Sequence, residues 1–554
     1  MSIRRLAAIY WPISLCMAIS AFFVYFPITD ADIFWHLAAG REMIAHGRLL
    51  YTDPFAFTLP SPRWIDLHWL FQLLCYGLYK IGGLKALLFF KLAVVAATTG
   101  LLCLTHRSKH YILIAAFLTC PLVFAMRYLL CVRPILITLI CMAAYVFLFE
   151  RARRPGKKTL LLLCVPLQVL WTNSQGLYMI GLFIIGSYWA ENVMQWLRGR
   201  QGRPVFETAL IGACAASCLL NPYGVAGLTF PFSLFARIAP GTRNIYSLTI
   251  SENIPLFSLH GHDSFYRTVT IAITLIAFLI FILKGRKRRI SHLLLFAGFS
   301  YLAFSAVRNV PLLFVIIIPI IGDSISDLLQ SDFATRLLGK SVRFIGCEAI
   351  AIGMLAVSAL TFRHLSVVSL YPPHCVLSPF RFPEKISGYL KQNPVPGNMF
   401  NDLRYGGYLI WRFYPEKKVF IDTRLIIRSP QFFAEYLAIS DHPELFDRVA
   451  EKFNITQVIV PSALYSLHMK LIQRLYASAY WRLACTDGAS VLFLRSNVSG
   501  PTSIDLSNNI TVRTIADSIA TQWCDAPGVR REALRYFENL RDSLGIESCS
   551  VIKR

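Results

Sequence analysis

Apolar runs of membrane length recur along this chain, and every second loop between them is basic. That pattern leaves few folds open. A helix needs about 20 apolar residues to cross a bilayer, and fewer where neighbouring helices bury its ends. By that measure about eleven spans are expected, at 6–27, 84–104, 111–126, 134–149, 159–171, 176–190, 206–221, 268–284, 291–307, 309–322 and 344–361. The first is longer than a secretory signal and no small-residue cleavage site follows it, so it reads as an anchor. Basic residues cluster at Arg4 and Arg5, in "HRSKH" (106–110), "RARRPGKK" (151–158), "LRGRQGR" (197–203) and "KGRKRR" (284–289), and at Arg336, Lys340 and Arg343. With eleven spans these clusters all fall on one side, the cytoplasmic one by the positive-inside rule. The expectation is an integral inner (plasma) membrane protein, multi-pass, with a cytoplasmic N-terminus and an extracytoplasmic C-terminal domain.

Composition agrees. The chain is 55% hydrophobic and 16% charged, against about 25% charged in soluble domains. A net charge of +24 would suggest nucleic acid in a soluble chain. Here the charge sits in short loops between apolar runs, so the bilayer is the expected partner and nucleic acid is not. The 14 cysteines form no CxxC pair and no zinc spacing. Cys103, Cys120 and Cys141 lie inside apolar runs, where cysteine behaves as a small hydrophobe. Cys524 and Cys549 have the chemistry to pair as a disulfide if the tail is extracytoplasmic.

The opposite face carries the specific polar residues, in loops 28–83, 127–133, "WTNSQ" (171–175), 221–267 and "VRN" (307–309). Within the first loop, "WIDLHWLFQLLCYGLYKIGG" (64–83) reads as an amphipathic interfacial helix. From about 362 the composition changes. "GNMFND" (397–402), "KKVFID" (near 418–423), "ITQVIV" (455–460) and "VLFLR" (491–495) read as buried strands alternating with helical patterns at 406–413, 431–439, 444–453 and 465–478. This is a small α/β layer domain, with a closing hairpin through Asp487-Gly488. The expected organisation is a transmembrane domain at 1–361, an extracytoplasmic α/β domain at 362–496, and a linker with a short helical tail at 497–554.

Asp30 and Asp32 sit at the outer end of the first span. Two carboxylates two residues apart have the oxygen ligands for a hard divalent cation, Mg or Mn. Either also has the chemistry of a general base toward an acceptor hydroxyl. The competing reading is a polar helix end at the membrane surface.

The order of these parts resembles the GT-C class of membrane glycosyltransferases. The stretches that carry the resemblance are "DADIFWHLAAGREMIAHGRLLYTDPFAFT" (30–58) with "RWIDLHWLFQLL", "LWTNSQGLYMIGL" (170–182), "LNPYG" (220–224), "AVRNVPLL" (306–313) and "YGGYLIWRFYPEKKVFIDTR" (405–424). The resemblance implies a GT-C-like membrane fold and a polyprenyl-phosphate-linked sugar donor. It also implies a glycan, lipid or protein acceptor at the extracytoplasmic face, and a functional acid in the first large loop. Asp32 matches that acid, with Asp30 as its partner and Asp53 of "YTDPF" as a second candidate. Where such relatives often have Asn-x-His-Gly, this chain has Asn173-Ser174-Gln175-Gly176. Asn173 and Gln175 are therefore substrate-binding candidates, with Gln175 standing where the resemblance would place an imidazole.

A lipid-phosphate leaving group develops charge that fixed cations stabilise, and the arginine fork matches phosphate oxygens. Arg127, Arg133, Arg237, Arg243 and Arg308 lie on the outer face and are the donor-phosphate candidates. Snorkelling to headgroups is the alternative. His36 and His68 are candidates for metal or acceptor contacts, or are ordinary interfacial residues. Trp35, Trp64 and Trp69 would stack on a sugar or sit in the aromatic belt. Asp66, Glu252 and Asn253 join the substrate-side list. "NPYG" reads as a helix stop, and Gly406-Gly407 as a close approach of helix and sheet. Asp422 and Arg424, at a strand end, touch the acceptor or pair structurally.

Two other functions compete with sugar transfer. A transporter or flippase would need broken helices near the midplane or two related halves. No half-to-half similarity is found. A non-catalytic membrane scaffold subunit using its tail for binding is the third reading.

Overall fold

The computed structural model describes residues 3–59, 62–238, 245–246, 250–259, 264–284, 289–329, 353, 375–463, 467–498, 503–523 and 527–546. The chain divides into two compact units. One holds Met1–Tyr25, Leu67–Phe71 and Lys85–Val368, and the other Phe26–Asp66, Gln72–Leu84 and Ser369–Arg554.

In chain order the helices up to the end of the first unit's described part are α1 (Ile3–Phe23), α2 (Asp32–His46), α3 (Trp69–Leu104), α4 (Lys109–Met126), α5 (Ile135–Ala152) and α6 (Cys164–Thr172). They continue with α7 (Met179–Leu197), α8 (Val205–Ser217), α9 (Gly224–Ile238), α10 (Ser264–Leu283), α11 (Ile290–Ser305) and α12 (Val310–Leu329). Among the described residues, 6 helices are long and apolar enough to cross a membrane: Trp69–Leu104, Lys109–Leu129, Ile135–Ala152, Gly176–Leu197, Phe265–Leu283 and Val307–Leu328. This is a multi-pass membrane protein. The expected spans at 84–104, 111–126, 134–149, 176–190, 268–284 and 309–322 fall on these six.

The other five expected spans are not among these six described helices. Where 159–171, 206–221 and 291–307 were expected, the apolar helices Lys158–Thr172, Val205–Ser217 and Ile290–Ser305 are shorter than the length a lone helix needs, while 6–27 falls on α1, whose 21 residues run Ile3–Phe23. The stretch 344–361 lies outside the described residues, apart from residue 353. The structure adds a short apolar helix, Gly224–Ala236, in what reads from sequence as a loop. "NPYG" ends one helix and starts this next one. Asn221 accepts from the Tyr223 amide at 2.9 Å and donates to the Cys218 carbonyl at 2.9 Å and the Gly224 carbonyl at 3.1 Å. The proline thus marks a corner between two helices.

Helix α3 breaks at Gly82 (φ −144°, ψ 23°) and Gly83 (φ 60°, ψ −153°). The second pair of angles lies in a region open essentially to glycine. The break falls where the expected interfacial helix meets the expected span.

Residues from the basic loops close into a charge network. Glu150 accepts from Arg289 at 2.8 and 2.7 Å and from the Tyr188 hydroxyl at 2.8 Å. Glu191 accepts from Arg153 at 3.1 Å, and Lys284 donates to Asp323 at 2.7 Å. These bonds join α5, α7 and α11 in one group and α10 and α12 in another. Hydropathy reading missed the network because each member looks like an isolated loop or helix-end charge.

The second unit is built on a mixed sheet of β1 (Asn398–Asn401), β2 (Ile455–Pro461), β3 (Trp481–Thr486) and β4 (Ser490–Arg495) in the order β1-β2-β4-β3. β1 runs parallel to β2, while β4 is antiparallel to both β2 and β3. β2 is buried along its whole length, as its apolar residues require, and the buried Gln457 amide donates to the Val395 carbonyl at 3.1 Å. The β3–β4 hairpin turns at Asp487-Gly488 as expected. Helices α13 (Glu384–Gln392), α14 (Leu403–Phe413), α15 (Pro430–Asp441), α16 (Leu445–Lys452) and α17 (Met469–Ala477) accompany the sheet, and α18 (Asn509–Gln522) and α19 (Pro527–Leu544) follow it.

"KKVFID" is not a ladder strand. Asn401 accepts from the Phe420 amide at 2.9 Å and donates to the Ile421 carbonyl at 2.8 Å, so a side chain takes the bonds a neighbouring strand would have taken. Val419 forms only an isolated bridge with Ala56.

That bridge points to the main finding about this unit. The first loop shares its core. Trp35, Ala38, Ala39, Phe55 and Trp64 pack in one buried cluster with Met399, Leu409, Ile459 and Leu492. α2 lies on α14 at Gly407, where an added Cβ would stand 2.5 Å from the Ala31 carbonyl oxygen. Arg41 reinforces the contact, donating to the Tyr414 carbonyl at 2.7 Å with its guanidinium 4.8 Å from the Trp411 ring.

Candidate functional site

In the second unit, Asp32 is the first residue of α2. A carboxylate in the first helical turn is favoured by the helix dipole. Its backbone N–H donates to Asp30 Oδ1 at 3.3 Å. Its own Oδ1 accepts from the hydroxyl of Thr423. The two candidate acids thus adjoin, and a residue not singled out in the sequence completes the group. Thr423 sits in "FIDTR", a stretch noted for its resemblance, but nothing in the sequence links it to residue 32.

The segment that carries Thr423 is clamped on both sides. Arg424 donates to Asp422 through Nε and Nη2, both at 2.8 Å, and its Nη1 lies 2.8 Å from Asp53 Oδ1. Arg428 is 3.8 Å from Asp53 Oδ2. All four side chains are buried. Burial opposes the charge on Asp422, but Arg424 outweighs it and holds the carboxyl below the usual carboxylate range. Arg424 is raised in turn, the two carboxylates overcoming its own burial. The rings of Trp64, Phe55 and Trp35 lie 4.7, 5.0 and 5.7 Å from its guanidinium carbon.

Asp53 is therefore a member of a buried ion cluster, 1% exposed, and also accepts from the Phe55 amide at 3.0 Å. Trp35 and Trp64 wall the Arg424 cation instead of facing a membrane surface. His36 is buried at 2% exposure with its ring against Trp35 at 3.6 Å. Asp66 is buried at 1%.

In the first unit, three stretches quoted for their resemblance converge on Asn173. Its Oδ1 accepts from Trp69 Nε1 at 3.0 Å, and its carbonyl accepts from the Leu70 amide at 3.1 Å. Its Nδ2 donates to the Val169 and Leu220 carbonyls, each at 2.8 Å. Beside it, His68 Nε2 and Gln175 Oε1 are 3.2 Å apart. Gln175, in the place of an imidazole, orients another one.

A second group gathers two of the outer arginines. Arg133 Nη1 donates to Glu252 Oε1 at 2.5 Å, and Arg308 Nη1 donates to Asn253 Oδ1 at 3.0 Å. Consecutive residues of one short turn hold both cations, and both arginines are half-buried. Arg127 differs. It donates to the Phe124 carbonyl at 2.7 Å and lies 3.9 and 4.3 Å from the Phe124 and Tyr128 rings, which is packing with its own neighbours. Arg237 lies on α9, with nothing described of its side chain. Arg243, Cys524 and Cys549 lie outside the described residues.

The Mg or Mn reading of Asp30 and Asp32 would rest on these two carboxylates, since magnesium is held by one or two carboxylates with waters and substrate phosphates supplying its other oxygens. Among the described residues no group of three or more His, Cys, Asp and Glu side chains comes together. The base chemistry of Asp32 needs no further ligand, and no step is routed through a cation.

No family model matches the chain, and no curated protein matches it. Solved structures do. The archaeal oligosaccharyltransferase AglB from Archaeoglobus fulgidus, in complex with an inhibitory peptide and a dolichol-phosphate, superposes with TM-score 0.60 at 11% identity, covering 99% of this chain and 88% of that one. The Archaeoglobus fulgidus oligosaccharyltransferase in complex with Zn and sulfate gives 0.54 at 11%, covering 98% and 86%. ArnT from Cupriavidus metallidurans, bound to undecaprenyl phosphate, gives 0.51 at 10%, covering 89% and 99%. Identities this low speak for the fold alone: the chain is folded as these solved proteins are.

Proposed function

We propose that this protein is a membrane glycosyltransferase that moves a sugar from a polyprenyl-phosphate-linked donor to an acceptor on the extracytoplasmic face. The observation that carries the reading is Asp32, an acid at the start of the first loop's helix, held by a hydroxyl, in a chain with a GT-C fold. Two solved proteins of that fold carry a dolichol-phosphate and an undecaprenyl phosphate, and these lipids are one chemical class.

In this reaction an acceptor hydroxyl attacks the anomeric carbon, its proton passes to Asp32, and the bond from that carbon to the phosphate oxygen breaks. The lipid phosphate leaves as an anion. Asp32 is the proposed base, with Asp30 as its neighbour. In the membrane unit Arg133 and Arg308 are the proposed partners of the donor phosphate. Asn173, Gln175 and His68 are the proposed substrate-side polar group. The basic loops support an orientation with the N-terminus in the cytoplasm and the C-terminal domain outside.

The test is sugar transfer in membrane vesicles with radiolabelled polyprenyl-phosphate sugars, for wild type and Asp32→Asn. Transfer by wild type that is lost in the variant at equal membrane content is the expected result. Equal transfer by both would remove Asp32 from the mechanism. No transfer by either, across several donors, would make a scaffold or transport function the better reading.

A further inference from the structure

We infer that Thr423 is a positioning residue for Asp32, and that adjacent glycines on α14 set the register between the two. The inference rests on the reading of Asp32 as the reaction's acid.

Thr423 donates its hydroxyl hydrogen to Asp32 Oδ1 across 391 residues of sequence. Both of its chain neighbours are fixed. Asp422 and Arg424 are 2% and 5% exposed and bound to each other at 2.8 Å, and Arg424 is bound again to Asp53. The hydroxyl is therefore presented from a rigid segment. Asp32 is fixed from its own side, in the first turn of a helix with its amide on Asp30.

One helix sets the distance between these two segments. An added Cβ at Gly406 would stand 2.7 Å from Asp422 Cα, and one at Gly407 would stand 2.5 Å from the Ala31 carbonyl oxygen. Consecutive glycines thus let α14 press on the residue before Thr423 and on the residue before Asp32. A carboxylate held in one rotamer suits a general base, because a misplacement of about 1 Å can reduce rate about 100-fold.

The experiment uses the full chain in membrane vesicles with Thr423→Val, which keeps the shape and removes the hydroxyl, and Thr423→Ser, which keeps the hydroxyl. The first readout needs no substrate. Carboxyls are labelled with a water-soluble carbodiimide and glycine ethyl ester and located by mass spectrometry. Asp32 labels several-fold faster in Thr423→Val and at the wild-type rate in Thr423→Ser, with Asp53 and Asp422 unchanged in both. The second readout is transfer from radiolabelled polyprenyl-phosphate sugars. In Thr423→Val kcat falls roughly 10- to 100-fold, as for loss of one bond to a charged group, with KM unchanged, and Thr423→Ser restores it.

Unchanged labelling of Asp32 in Thr423→Val would overturn the contact. Faster labelling with unchanged kcat would overturn the positioning role. If wild type transfers no sugar from any donor, the enzymatic reading falls, and the positioning role falls with it. Labelling then still decides whether Thr423 holds Asp32.

Discussion

Arg424 Nη1 stands 2.8 Å from Asp53 Oδ1, and this one contact ties a loop near the start of the chain to the C-terminal domain's core. Both side chains are almost wholly buried. Removing one partner of a buried pair leaves an uncompensated charge, at about 3–5 kcal/mol. Arg424→Met is therefore expected to lower the Tm of the detergent-purified protein by several degrees. Arg424→Lys should recover little, because one ammonium does not reproduce two bonds to Asp422 and one to Asp53. Thermal unfolding followed by size-exclusion fluorescence checks both. A Tm for Arg424→Lys equal to wild type would show that charge alone suffices.

Gly407 and Gly388 make a paired test. A methyl group at 407 meets the Ala31 carbonyl, while nothing lies within 4 Å of a Cβ at 388. Gly407→Ala is expected to destabilise by about 1–3 kcal/mol through overpacking. Gly388→Ala, inside α13, should stabilise by roughly 0.5–1 kcal/mol. Susceptibility of the first loop to a protease should rise in the former variant only.

Acid should weaken the C-terminal domain through Asp402. Burial opposes its charge, but the hydrogen bond from His468 and the charge of Arg404 hold its carboxyl well below the usual carboxylate range. A carboxyl whose pKa is lower in the folded state stabilises the fold above the unfolded pKa, and that contribution is lost as pH falls below it. The Tm of the full chain is thus expected to fall on acidification below about pH 4. Asp402→Asn should start lower at pH 7 and lose less over the same interval. Parallel acid limbs for the two proteins would exclude Asp402 as a source.

The two arginines on one turn give a kinetic expectation with a sign. Arg133→Ala and Arg308→Ala should each raise the KM for a polyprenyl-phosphate sugar roughly 10- to 100-fold, the worth of a charged hydrogen bond. Glu252→Gln removes the carboxylate that faces Arg133 at 2.5 Å and should lower KM. A rise in KM for Glu252→Gln would mean that Glu252 is needed to hold Arg133 in place.

Local signals made much of this structure legible. Hydropathy over a window of 20 residues located the long helices, and Asp487-Gly488 located the hairpin, because both are decided by neighbours in sequence. Trp35 and Trp64 show where such reading stops. Beside an amphipathic stretch they read as belt residues, yet they wall Arg424 more than 350 residues downstream (424 − 64 = 360). Asp422 and Arg424 were legible as either a ligand site or a structural pair. The choice depended on Asp53, which no spacing connects to them. Thr423 carried no signal of its own, since a threonine between two charges has no local mark. "KKVFID" misled for the same reason: the bonds its backbone needs come from Asn401, a side chain elsewhere in the unit.

The distance between Asp32 and Thr423 along the chain also sets an order of events during synthesis. The ribosome makes about 5–20 residues per second, so 391 residues separate the two by roughly 20–80 s. Through that interval the first loop has emerged without the strands and helices that bury Phe55 and Trp64. The acid comes earlier and its partner later, so the site is finished only when the domain around Thr423 folds back onto the loop around Asp32. A chain arrested before residue 423 would have its early apolar helices and its acid, with the loop's aromatic residues still waiting for a core.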